Sequence, residues 1–244
     1  MLDVICFKWY TPNYRSKFDA NTVNVLRNMV ARHLRLPHRF TCITDDWKGI
    51  DSGIRIIPLW DTFSTVPNPS NPRNPSCYRR LPIFSEEARE IIGERIACLD
   101  LDAVITNDIT TLFDHEHDFV IWGGQSVQPR ARGGKVYSWY NGSLMYLRAG
   151  TRTRVWTEFD PKTSPQKAHL ANARGSDQGW ISYVLGNKER IWSTDDGVYS
   201  YRNQIATSRH RLPANARFVA FHGHYDPWMP EVQRANPWIR EHYH

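Results

Sequence analysis

The chain reads as a single α/β domain, a mostly parallel central sheet flanked by helices. Three observations predict this. Short apolar runs of strand length recur along the chain, at "LDVICF", "RFTCIT", "GIRIIPLW", "RIACL", "FVIW" and "LMYL". Between the first two lies a segment of helical periodicity. Strand, helix, strand in that order is the opening of a sheet with parallel neighbours. The 244 residues give material for one large core, and neither a repeat nor a low-complexity linker divides them.

Taken in order, residues 2–7 form a first buried strand. From Asp19 onward Val23, Leu26, Val30 and Leu34 recur at helical spacing, with Asp19 or Asn21 available as the cap and Pro37 as the stop. "RFTCITDD" and "GIRIIPLW" supply a second and a third strand. Residues 64–77 contain Pro67, Pro69, Pro72 and Pro75 and therefore form a long surface loop. A helix is expected over 79–92, followed by a strand at 95–99 and another at 119–122. The glycine-rich stretch "PRARGGKVYSWYNGS" leads into the strand "LMYLRAG". Helices are expected at 151–159 and 177–185, and "ARFVAFHGH" gives a last strand.

Composition narrows the function classes. No apolar stretch approaches the roughly 18 residues of a membrane span, and "MLDVICFKWY" lacks the basic-then-apolar order of a secretory signal. Cys6, Cys42, Cys77 and Cys98 are widely spaced and three of them lie in apolar runs, the pattern of reduced thiols in a cytoplasmic protein. The net charge of +6 points to an anionic partner, and arginines such as Arg73, Arg79, Arg80, Arg130 and Arg132 suit phosphate. That charge also fits a basic nucleic-acid-binding protein, but no nucleic-acid motif accompanies it.

The most informative segment is "RIACLDLDAVI". Unpaired carboxylates are costly inside an apolar run, so Asp100 and Asp102 need a partner or an opening to solvent. In an extended segment residues two apart point to one side, and these two stand at the carboxyl end of a strand, where open α/β sheets bind ligands. Paired carboxylates repel unless a cation lies between them, and oxygen donors of this kind suit Mg²⁺ or Mn²⁺. The alternative is a pair of aspartates that merely terminates a strand.

Several short motifs, in the right order from Leu2 to Trp228, resemble the GT-A glycosyltransferases, specifically the family 8-like enzymes related to glycogenin and bacterial galactosyltransferases. "ACLDLDAVITNDITTLFD" is similar to the strand and Asp-x-Asp of that family, and Tyr78-Arg79-Arg80-Leu81 to its Tyr-x-Arg-Leu segment. "YNGSLMYLRAG" resembles its Asn-Ser-Gly segment with the small residues exchanged, "SDQGWISYVL" its Asp-Gln helix, and "FHGHYDPW" its His…Gly…Lys-Pro-Trp signature.

The resemblance implies a Rossmann-like GT-A domain spanning 1–244, with a nucleotide-binding half at 1–122 and an acceptor-binding, metal-completing half at 123–244. It implies transfer of a hexose from a nucleotide-diphosphate sugar, UDP first among them, to a hydroxyl of a glycan, lipid-linked sugar or protein, with retention of configuration. The implied ligands of Mn²⁺ or Mg²⁺ are Asp100, Asp102 and His222, with His224 as a rival. The donor would meet Phe7, Lys8, Trp9, Tyr14, Arg80, Asp100, Leu101, Asp102 and Asn141; Asp177 and Gln178 would serve the transferred sugar.

Trp139, Tyr140, Trp180 and Trp228 suit sugar stacking. The acceptor would enter over the loops 64–77 and 125–142. Asp226 stands where the family has a lysine on the diphosphate, which leaves Arg79, Arg80, Lys8 or loop arginines to supply that charge. The departure keeps open a binding protein that has lost activity. A sugar-phosphate nucleotidyltransferase is disfavoured, because "CFKWYTPNYRSK" lacks the glycines of a phosphate loop. Peripheral membrane contact is compatible with the basic charge, and the oligomeric state is not legible.

Overall fold

The computed structural model describes residues 1–11, 18–72, 76–123 and 139–244. Its centre is a seven-stranded sheet. In chain order the strands are β1 (Leu2–Lys8), β2 (His38–Thr44), β3 (Arg55–Pro58), β4 (Arg95–Leu99), β6 (Phe119–Gly123), β7 (Tyr140–Arg148) and β8 (Arg190–Trp192). In space they run β3-β2-β1-β4-β7-β6-β8. All pairings are parallel except those of β7, which is antiparallel to β4 on one side and to β6 on the other. A smaller sheet pairs β10 (Phe218–Ala220) with β5 (Ala103–Ile105) and β9 (Val198–Ser200).

β1 is buried at every residue, as a strand covered on both faces must be. Its side chains alternate between two cores. Val4 and Cys6 join helix α1 (Ala20–His33), the small sheet and the C-terminal helices α7 (Pro230–Ala235) and α8 (Pro237–His242). Ile5 and Phe7 join the opposite layer, built from a 3-10 helix at Tyr78–Phe84 and from α2 (Ala88–Ile91), α4 (Arg154–Thr157), α5 (Ser164–Leu170) and α6 (Asp177–Leu185). Another short helix, α3 (Thr110–Phe113), follows β5.

Asp19 caps α1, its carboxylate accepting the Thr22 N–H at 2.9 Å. The helix stops at His33, four residues before Pro37: Leu34 leaves the helical region to bury its side chain, 4% exposed. The helix expected over 79–92 is instead a 3-10 stretch and one separate α-turn. Pro82 removes a backbone donor inside it and Ser85 turns extended. At 151–159 only the turn α4 is helical; Thr153 provides no side-chain cap, and Pro161 disfavours helix at the residue before it. The strand in "ARFVAFHGH" is three residues long, lies in the small sheet, and is followed by α7 and α8. No helix among the described residues is long and apolar enough to cross a membrane, and all four cysteines are free thiols.

Candidate active site

β4 ends at Leu99 with its carboxyl end toward a cavity of about 120 Å³. Phe7, Trp9, Thr11, Phe18, Cys77, Arg80, Asp100, Leu101 and Asp102 line it. Asp100 to Asp102 form a bend rather than a continuation of the strand, so the two carboxylates reach one cavity through a turn and not through strand alternation. The bend is held at both ends. The Asp100 N–H donates to the Ser143 carbonyl at the start of β7 (3.0 Å), and the Phe221 N–H donates to the Asp102 carbonyl (2.8 Å).

Arg80 is the hub of the site. The 3-10 helix carries it inward until it is 6% exposed. Its Nε donates to Asp177 Oδ2 at 2.7 Å, its Nη2 donates to the same oxygen, and its Nη1 donates to Asp100 at 2.5 Å. Asp177, first residue of α6 and 3% exposed, is therefore spent on Arg80 rather than on capping its helix. Burial alone would lower the Arg80 guanidinium, but Asp177 and Asp100 hold it well above its ordinary value. Burial raises the Asp177 carboxyl, and Arg80 offsets part of that rise. Gly142 lets β7 pass this pair closely: a side chain there would overlap Arg80 Nη2. The Cys77 thiol beside them is pushed up to about 12 by burial and by Asp177, so it stays protonated.

Of the residues singled out by sequence, Phe7, Trp9, Arg80, Asp100, Leu101 and Asp102 come together on this cavity. Lys8 turns away, its ammonium donating to the Asp46 carbonyl at 2.6 Å and the Asp46 carboxylate at 3.1 Å. Asn141 folds onto its own strand and accepts the Ser143 N–H at 2.9 Å. Gln178 Oε1 lies 3.5 Å from the Gly142 N–H. Tyr14 lies outside the described residues, as do Arg73, Arg130, Arg132 and most of the loop 125–142. Two expectations need correction. Tyr140 and Trp180 are each 2% exposed and belong to the core, with the Trp180 indole donating to the Val155 carbonyl, so neither offers a face to a sugar.

Sequence reasoning overlooked Cys77, Thr11 and Phe18 as cavity walls. It also overlooked a second cavity of about 280 Å³ beyond Trp9, lined by Tyr10, Arg79, Ser76 and the 64–67 segment. Arg79 stands 6.0 Å over the Trp9 ring between them. Pro67 and Pro72, which mark the loop in the sequence, line that second cavity.

His222 Nε2 lies 2.7 Å from Ser200 Oγ, and the Phe221–Asp102 hydrogen bond brings this turn against the bend. Two carboxylates and an imidazole are donors matched to Mn²⁺ or Mg²⁺, and both carboxylates reach one cavity, so the residue types fit a divalent cation. Among the described residues no three His, Cys, Asp or Glu side chains stand grouped as a metal cluster, and Asp100 is already engaged by Arg80.

No protein-family model and no curated protein sequence matches the chain. Solved structures do. A galactosyltransferase, LgtC, in complex with donor and acceptor sugar analogues is 14% identical, with 99% of this chain and 96% of that one covered and a TM-score of 0.63. This chain has a GT-A fold. An active-site mutant of LgtC matches at 13% identity over 99% and 96% of the two chains, with a TM-score of 0.61. The glycosyltransferase GlyE of Streptococcus pneumoniae TIGR4 matches at 12% identity over 94% of this chain and 57% of its own, with a TM-score of 0.56. In this GT-A chain the Asp-x-Asp bend, Arg80 and the two aromatic residues at the end of β1 share one cavity.

Proposed function

We propose that the chain is a glycosyltransferase that moves a hexose from a nucleotide-diphosphate sugar, a UDP-sugar first among the candidates, to a hydroxyl acceptor. The observation that carries the reading is the cavity at the carboxyl ends of β1 and β4, where Asp100 and Asp102 converge beside the buried Arg80. Similarity in fold to LgtC, a galactosyltransferase seen with donor and acceptor sugar analogues, supports it.

Asp100, Asp102 and His222 would hold a divalent cation, which when bound supplies Lewis-acid stabilisation of the departing diphosphate. The protein's own residues prepare the rest. Phe7 and Trp9 present apolar faces to the nucleoside end. Arg80, fixed by Asp177, holds Asp100 in one rotamer and so orients it before the donor arrives. Asp177 acts through Arg80 as a positioning residue, and the half-buried Gln178 adds an amide at Gly142 beside the transferred sugar. The acceptor would approach over the 64–77 loop and its 280 Å³ cavity, and retention of configuration is the stereochemical outcome proposed.

A thermal-shift panel of UDP-, GDP- and CMP-sugars, each with and without Mn²⁺, tests the reading. Metal-dependent stabilisation by one nucleotide sugar is the expected result, since a ligand that binds only the folded state raises Tm. Silence across the panel would leave the fold without this activity.

A further inference from the structure

The two cavities share a wall but differ in charge. Trp9 and Thr11 line both. The first carries Arg80 together with Asp100 and Asp102. The second, of about 280 Å³, has Arg79 as the one charged residue of its described lining, and no carboxylate. No acidic residue lies outside the described residues: 12–17, 73–75 and 124–138 contain Arg15, Lys17, Arg73, Arg130, Arg132 and Lys135 and neither aspartate nor glutamate. Wherever those segments lie, they add positive charge to this balance or leave it unchanged.

Arg79 is built into the wall of the second cavity. Its Nε and Nη2 donate to the Trp60 carbonyl at 3.2 and 2.9 Å, and the Trp60 indole donates back to the Arg79 carbonyl. Its guanidinium stands 6.0 Å over the Trp9 ring, and its side chain is 11% exposed. The guanidinium is therefore in place before any ligand arrives, which lowers the cost of ordering it. Both bonds to Trp60 engage one edge of the planar group, and another edge of such a fork can take a carboxylate or a phosphate. Asp61 is paired with it at 3.7 Å, but the Asp61 side chain stands fully in solvent, where an ion pair is worth little. A cation in a wall largely shielded from water attracts an anion more strongly than one on an open surface.

The rest of the lining suits a sugar. Tyr10, Thr11, Ser64, Thr65 and Ser76 bring hydroxyls, while Trp9, Pro67 and Pro72 bring apolar surface. A sugar ring has a rim of hydroxyls and apolar faces, and needs both kinds of partner.

We propose that the cavity beyond Trp9 selects an acidic saccharide as acceptor, the oxyanion of a uronate or of a sugar phosphate lying on the Arg79 guanidinium. The proposal rests on the nucleotide-sugar reading above and adds to it the chemical class of the acceptor.

Saturation-transfer NMR titrations in Mn²⁺ buffer at physiological salt, with and without UDP, test it. The probes are glucose, glucuronate and glucose 6-phosphate, and the three galactose counterparts. The acidic sugars should bind about 10- to 100-fold more tightly than the neutral ones, the range of a charge-assisted hydrogen bond. The tighter of the two acids tells uronate from phosphate. Arg79→Gln should abolish the preference. Thr65→Asp, at an exposed position on the same cavity, should weaken the acidic sugars more than the neutral ones. That variant leaves the Arg79–Trp60 bonds in place, so it decides the matter even where Arg79→Gln unfolds. Equal affinity for neutral and acidic sugars would overturn the proposal, as would a preference that either folded variant keeps. Displacement of the acidic sugars by UDP would also overturn it, by putting the anion in the donor cavity. Each of these outcomes leaves the glycosyltransferase reading intact; that reading fails separately, when no nucleotide sugar stabilises the protein.

Discussion

The two ends of the Asp100–Asp102 bend are supported in contrasting ways. Asp100 leans on Arg80 and Asp177, a buried ion-paired cluster assembled from the 3-10 helix and α6 and passed closely by β7. Asp102 leans on the loop after β10, where three-residue strands, a serine hydroxyl and a left-handed glycine do the holding. The first end has its carboxylates ion-paired to one guanidinium and its geometry fixed. The second carries a histidine held by a serine hydroxyl. A site that must stay rigid where it orients and adapt where it receives charge would be divided in this way.

The largest expected effect breaks the rigid end. Arg80→Ala strands the buried Asp177 carboxylate, and losing one partner of a buried pair costs about 3–5 kcal/mol. Urea denaturation should show that loss, and adding Asp177→Ala to the variant should recover part of it. Full stability in the single variant would mean that water reaches Asp177.

A smaller effect sharpens the same end. Gly142→Ala pushes a methyl group against Arg80 Nη2, and the guanidinium cannot swing aside without giving up Asp177. Overpacking of this kind costs about 1–3 kcal/mol. The check is a drop in the urea midpoint without change of slope.

The smallest effect tests the adaptable side. His33 of α1 and His242 of α8 have ring centroids 6.3 Å apart. Burial, then Arg32 and His242, hold His33 below the usual imidazole value; burial holds His242 below it too, with Arg32 and His244 adding to that against Glu241. Asp108 opposes the shift at His33. Both folded values lie below the unfolded value of about 6.5, so the unfolded chain binds more protons between them. The stability these rings contribute is complete above that pH and is lost as pH falls through it toward the folded values. Hydrogen exchange at pH 7 and pH 5 should show α8 opening in acid before α6, and equal protection of the two at both pH values would contradict the contrast.

Much of the sheet was legible because its strands are buried on both faces and read as apolar runs; β1, β2, β4, β6 and β7 all announce themselves this way. The elements that were not legible are short. β5, β8 and β9 have three residues each, too few for any period, and exist because neighbours offer them backbone partners. Within the site, Asp100 and Asp102 stood out because charges in an apolar run need an explanation. The Arg80–Asp177 pair did not, since 97 positions separate its members and no local pattern links them. Lys8 misled because a lysine at a strand end looks available until Asp46, 38 positions on, claims it.

The hydrogen bond from Phe221 to Asp102 ties together residues more than a hundred positions apart, and Arg32 reaches the carbonyl of His244 across 212. Such connections close slowly, because each large loop must be ordered before its contact repays the entropy. The cavity is therefore among the last things this chain finishes. While a ribosome is still making the chain, a strand, a helix and the Asp-x-Asp bend can already be present with nothing to hold the bend's far end. Competence to hold the Asp102 end closed is acquired only when the segment after β10 arrives, more than a hundred residues after the bend itself.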